Sequence, residues 1–169
     1  MTDDEILAAL RERVAQGRPT DLTGDFPLDE PASPAAISEA EQIIGYPLPP
    51  LLKRIYREIA NGGIGPDGGF EGLRDGYVSD EDSMLDVCTS IREDTDEPPI
   101  LPPGVLFFCN SGCAMWDLLD CRDPEGRMWS WDSGERHRLD ITFTEWISAW
   151  LEDRYKEVVG DPARRLPDE

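Results

Sequence analysis

The residues of this chain best equipped for chemistry are four cysteines, Cys88, Cys109, Cys113 and Cys121, and a single histidine, His137. Cys109-x3-Cys113, with Cys121 eight residues on and His137 beyond, comes close to a zinc ligand set. Structural zinc sites, however, draw their ligands from two tight knuckles, with roughly 2–4 residues between the members of each pair. Cys109 and Cys121 instead lie within apolar runs, and free cysteine is among the most buried residue types. They are expected to be buried thiols, and no metal is expected. His137 stands between Arg136 and Arg138. A histidine acts as a base beside a nucleophile and an orienting acid, and spacing assembles no such trio. Neither a catalytic residue nor a cofactor is expected.

The loop Asn61-Gly62-Gly63-Ile64-Gly65-Pro66-Asp67-Gly68-Gly69 is rich enough in glycine to suggest a phosphate cradle. Such cradles follow a strand, open a helix and carry a lysine. This one follows a helical pattern, lacks lysine and contains Asp67, so it reads as a helix stop and a turn. Asp80-Glu81-Asp82 with Asp86 suggests calcium, but the Asp-x-Asp-x-Asp-Gly spacing of an EF-hand loop is absent. These acids read as the first turn of a helix, at the positive end of its dipole.

With no chemistry to assign, surface recognition is left. The 169 residues carry 36 acids against 16 bases, a formal charge of −20. Such a chain repels nucleic acid and anionic lipid and attracts basic proteins, although acidity also serves solubility. Two acidic clusters flank one helical segment: Glu71, Asp75, Asp80, Glu81, Asp82 and Asp86, then Glu93, Asp94, Asp96 and Glu97. Aromatic residues supply the anchors that acids cannot, and Tyr77, Trp116, Trp129 and Trp131 are candidates, with Trp131 and Trp146 also fitting a core role. The expected partner-binding set is Glu71, Asp75, Tyr77, Asp80, Glu81, Asp82, Asp86, Asp94, Asp96, Glu97 and Trp116.

The elements that must hold this surface are legible from their ends. Thr2 with Glu5 forms a capping box for a helix over 2–16. Residues 17–32 are a linker rich in Pro, Gly and Asp. Ser33 and Pro34 open a second helix with Ile37, Ala40, Ile43 and Ile44 inward, and Gly45 closes it. Pro49-Pro50 opens a third, with Leu51, Leu52, Ile55, Tyr56 and Ile59 inward, stopped at Asn61-Gly62-Gly63. Residues 80–92 read as a further core helix through Met84, Leu85, Val87, Cys88 and Ile91, capped by Ser79 or Asp80. Phe70–Leu73 suits a short strand, and Val105–Cys109 a buried one. Residues 114–121 and 127–132 form a hairpin about Asp123-Pro124-Glu125-Gly126, and 136–139 add a strand. Thr142 opens a closing helix with Phe143, Trp146, Ile147, Trp150 and Leu151 inward. Residues 157–169 read as a loose tail. The fold class is α+β, a mostly antiparallel sheet packed against helices. An uncovered sheet edge would also allow a homodimer.

Taken in order, these residues resemble the SUKH superfamily, which includes bacterial toxin-immunity proteins and the yeast cell-wall-assembly regulator family. The resemblance rests on Ile37, Glu41, Gly45, Leu48-Pro49, Tyr56 and Asn61-Gly62-Gly63. It continues through Leu101-Pro102, Val105 to Cys109, Asn110-Ser111-Gly112, Leu119-Asp120, Gly126, Trp129 to Trp131 and Phe143-Thr144-Glu145-Trp146-Ile147. It departs at Gly112-Cys113-Ala114-Met115-Trp116, where smaller, more polar residues would be expected. It implies a single SUKH-like domain over 1–169, its core at about 33–153, with an N-terminal helix pair and a closing C-terminal helix. It also implies a non-enzymatic immunity protein that binds and blocks a secreted toxin domain, such as a nuclease or deaminase. An intracellular regulatory scaffold is the alternative. Residues 1–16 lack the basic start and apolar core of a leader, and no apolar run reaches the roughly 20 residues of a membrane span. A bacterial cytoplasmic location with reduced cysteines is therefore expected.

Overall fold

The computed structural model describes residues 1–95 and 98–168. Its first helix, α1 (Asp3–Ala15), starts where the capping box predicts: Glu5 N–H donates to Thr2 Oγ1 at 3.2 Å and Thr2 N–H to Glu5 Oε2 at 2.7 Å. Its buried stripe is Ile6, Leu7 and Leu10. In α2 (Pro34–Ile44) Ser33 accepts the Ala36 N–H, and Gly45 ends the helix at φ 84°. Glu41 fixes the next connection. Its carboxylate accepts the Leu48 N–H at 2.8 Å and pairs with Lys53 at 3.1 Å, which sets the start of α3 (Pro50–Glu58).

The helix expected over 80–92 is shorter. α4 runs Met84–Glu93 and its cap is Ser83, which accepts the Asp86 N–H at 3.2 Å. Asp80, Glu81 and Asp82 precede it in a bend, so of these acids only Asp86 lies in the first turn. A run of acids resembles a first turn, but Asp and Ser cap about equally well, so composition alone does not fix which of residues 79–83 starts the helix.

Four strands follow, β1 (Val105–Gly112), β2 (Met115–Asp120), β3 (Arg127–Asp132) and β4 (Glu135–Thr142), in one antiparallel sheet of order β1-β2-β3-β4. Strand alternation separates two apolar sets. Leu106, Phe108, Leu119, Met128, Leu139 and Ile141 join the main core with the helices, whereas Val105, Leu118 and Trp129 form a smaller cluster with Leu101. The turn between β1 and β2 is Cys113-Ala114, both at positive φ (52° and 60°), so the departure noted at 112–116 is a tight hairpin.

The closing helix α5 (Phe143–Leu151) opens with a second capping box, Thr142 with Glu145. Phe143, Trp146, Ile147 and Trp150 are buried, and Phe108 meets the Phe143 ring edge-on at 5.8 Å between centroids. Beyond α6 (Tyr155–Val159), the segment expected to be loose is docked instead. Leu166 N–H donates to Arg138 O at 2.8 Å, Arg165 bridges Leu139, and Arg164 donates to Asp140 O. Backbone pairing to β4 holds it, and sequence pattern carries no sign of such a distant partner. On the opposite side, Phe70 bridges Cys109 and Glu71 N–H donates to Phe108 O. The chain itself therefore covers part of each sheet edge.

Candidate partner-binding surface

Asn61 organises the loops around the expected surface. It is 4 % exposed. Its Oδ1 accepts the Leu73 N–H at 2.7 Å, its Nδ2 donates to Arg74 O at 3.0 Å, and its carbonyl accepts the Tyr77 N–H. Gly62 lies so close beneath this turn that a Cβ there would stand 2.5 Å from Gly72 N, and its φ is +84°. The Asn-Gly-Gly helix stop is thus also the seat of the turn over 72–77.

This turn presents Asp75, exposed at φ 63°, and half-buried Tyr77, whose ring lies over Gly63. Asp80, Glu81, Asp82 and Asp86 follow and are exposed, as are Glu93 and Asp94 at the far end of α4. Asp96 and Glu97 lie outside the described residues. Glu71 needs correction as a partner contact. It is 1 % exposed, and its carboxylate accepts both the N–H and the hydroxyl of Ser79. Burial raises its pKa, and the two Ser79 hydrogen bonds oppose that rise. Its work is to pin the start of the acidic bend.

Trp116 lies on β2 opposite Asn110, whose Nδ2 donates to Ser79 Oγ at 3.4 Å beside the acidic bend. The Trp116 ring and that of Trp131 each meet Phe107 edge-on, at 5.5 and 5.0 Å between centroids, and all three are half-buried. Trp129 is no surface anchor: it is 2 % exposed, with the guanidinium groups of Arg122 and Arg136 at 5.9 and 5.6 Å from its ring centroid. Trp131 is more open than a core residue, and Trp146 is fully buried.

The chemical residues are scattered. Cys109 and Cys121 are buried, with thiol pKa values pushed up by burial. Cys88 is half-buried on α4 and Cys113 is exposed in the β1–β2 turn. No three His, Cys, Asp or Glu among the described residues are grouped to hold a metal ion. The most perturbed carboxylate is Asp117, buried on β2, where Trp146 Nε1–H and the Tyr155 hydroxyl donate to its Oδ2. Burial pushes its pKa up to about 6 against these hydrogen bonds. It ties α5 and α6 to the sheet.

The expected linker over 17–32 is more firmly held than its composition suggests. It is a strap, fixed at one end where Gly65 N–H donates to Pro19 O and Asp21 exchanges bonds with Asp67. Trp150 Nε1–H reaches Asp21 Oδ1 at 2.9 Å. At the other end Asn61 N–H donates to Glu30 O and Ala32 N–H to Tyr56 O. Between these anchors Leu22 and Phe26 stand 54 % and 62 % exposed. The available signal was two large apolar residues with no periodicity to place them in a core.

A model of the SMI1 / KNR4 family (SUKH-1) matches residues 31–149, well over half of the chain. The chain belongs to this family. The SUKH-1 match begins at the end of the strap and ends within α5, so the Asn61 seat, the acidic bend and the sheet lie inside it. The SUKH-1 domain here has the α+β architecture expected from the sequence. Outside the match lie α1, most of the strap, α6 and the docked tail. No curated protein and no solved structure matches the chain. Among the described residues, no helix is long and apolar enough to cross a membrane.

Proposed function

We propose that this SUKH-1 protein is a non-catalytic immunity protein that neutralises a basic toxin domain by occupying its active cleft. The observation that carries this reading is the run Asp80-Glu81-Asp82, exposed in a bend that Glu71 and Ser83 hold at its two ends. Enzymes that act on nucleic acid grip phosphates with Lys and Arg. An acidic partner competes for those cations and shuts out the substrate, and it needs no nucleophile or base. Steering by a net charge of −20 also speeds encounter with a cationic surface. Asp75 and Asp86 extend the acidic field along the turn over 72–77 and along α4.

The experiment is co-expression with the toxic C-terminal domain of a secreted protein encoded beside this chain's gene. Growth is expected to be restored by the intact chain and not by a variant carrying Asp80→Asn, Glu81→Gln and Asp82→Asn. Continued killing in the presence of the intact, soluble chain overturns the reading.

A further inference from the structure

The strap and the turn over 72–77 enclose a groove of about 480 Å³ that the acidic bend does not use. Val14, Leu22, Phe26, Leu28, Gly63 and Tyr77 line it. Asp25 and Asp29 stand in the same lining, which holds no Lys or Arg. Asp29 also lines an adjoining cavity of about 500 Å³ that includes Glu30 and Asp75. The one base lining that cavity, Arg74, is paired with Glu39. The result is an apolar trough between carboxylates.

Two features set this trough apart from ordinary surface. Phe26 is the most exposed large apolar residue among those described, and Leu22 is second. Scattered single apolar residues need no explanation, but these two line one groove together with Asp25 and Asp29. The strap is also held at both ends. The Asp21–Asp67 and Glu30–Asn61 hydrogen bonds restrict the segment between them, which reduces the ordering entropy that a partner must supply.

We infer that this groove is the docking site for a cationic protein segment in which aliphatic side chains alternate with Lys or Arg. Charge complementarity selects the occupant. The aliphatic side chains seat against Phe26, Leu22 and Tyr77, while the cations reach Asp25, Asp29 and Asp75. The inference rests on the immunity reading for its biological partner, and adds that the anchoring contacts lie in the strap, ahead of the SUKH-1 match. The acidic bend starts three residues after Tyr77 and steers the approach.

The test uses the full chain and two probes, a synthetic peptide repeating Lys-Leu-Arg-Ala and poly-lysine, which carries charge without aliphatic branches. Amide shifts on adding the peptide are expected at 20–29, Gly63, Gly68 and Tyr77. The variant Leu22→Ser with Phe26→Ser alters only exposed side chains. It is expected to weaken peptide binding by roughly tenfold or more, as loss of two apolar anchors does, while poly-lysine binding changes less than about twofold. Peptide shifts that miss the groove, or equal peptide affinity for the double variant, overturn the inference. The same variant against the toxic domain separates the two proposals. A domain bound equally by both forms removes the groove and leaves the immunity reading; a domain bound by neither, with the peptide result intact, does the reverse.

Discussion

Trp146 donates its indole N–H to Asp117 Oδ2 across 2.9 Å, with both residues buried between the sheet and α5. Desolvation still outweighs this bond, and the Asp117 carboxyl is pushed up to about 6. Its folded pKa therefore exceeds its unfolded one of about 3.9. The stability this group contributes is full below about pH 4 and is lost as pH rises through about 6, a swing of about 3 kcal/mol. Asp67 and Glu71, also raised by burial, act in the same direction. Asp117→Asn isolates the one group. In urea unfolding, the difference between variant and parent should change by about 3 kcal/mol between about pH 4 and about pH 7, and an unchanging difference would contradict the assignment.

Asn61→Ala removes two side-chain hydrogen bonds and leaves the Leu73 N–H without its acceptor, in a residue 2 % exposed. The expected loss is about 2–3 kcal/mol, or roughly 5–10 °C in Tm for a chain of this size. Thermal unfolding reads it directly. A shift under about 1 °C would remove Asn61 from the role of seat for the turn over 72–77.

Ala114 holds φ 60° in a two-residue hairpin turn, a conformation that costs an L-residue roughly 1–2 kcal/mol. Ala114→Gly relieves the strain, partly offset by glycine's greater freedom in the unfolded chain. A net gain of about 0.5–1 kcal/mol is expected in denaturant unfolding.

The four thiols should separate by rate. Cys113 is exposed, while Cys109 and Cys121 are buried with raised pKa values. Attack requires the thiolate, so an aromatic disulfide reagent is expected to modify Cys113 first. Cys109 and Cys121 should react only after denaturation. Rapid native labelling of Cys121 would contradict its placement.

Much of this architecture is readable in the chain because its markers are local. Thr2 and Glu5, Ser33 and Pro34, Gly45, and Thr142 and Glu145 lie within one turn of the backbone groups they satisfy. The failures involve distance. Glu71 looks like one more surface acid until Ser79 is seen folded onto it. Residues 161–168 look unattached because their partners, Arg138 to Asp140, sit on a strand more than twenty residues away. The strap reads as a linker by composition, and only the pairing of Asp21 with Asp67 and Trp150 turns it into the wall of a groove. The acids of 80–82 were legible as exposed charge, but not as a bend held by Glu71 and Ser83.

Recognition of a basic protein by exposed carboxylates, as proposed, must weaken as salt screens the charges. The measurement is the Kd of the full chain for the basic toxin domain proposed as its partner, from roughly 0.01 to 1 M salt, over which the Debye length falls from about 30 to about 3 Å. The expected result is steep weakening with salt, and a weaker, flatter curve for the Asp80→Asn, Glu81→Gln, Asp82→Asn variant. An affinity that ignores salt, or a variant that binds as the parent does, would contradict the account.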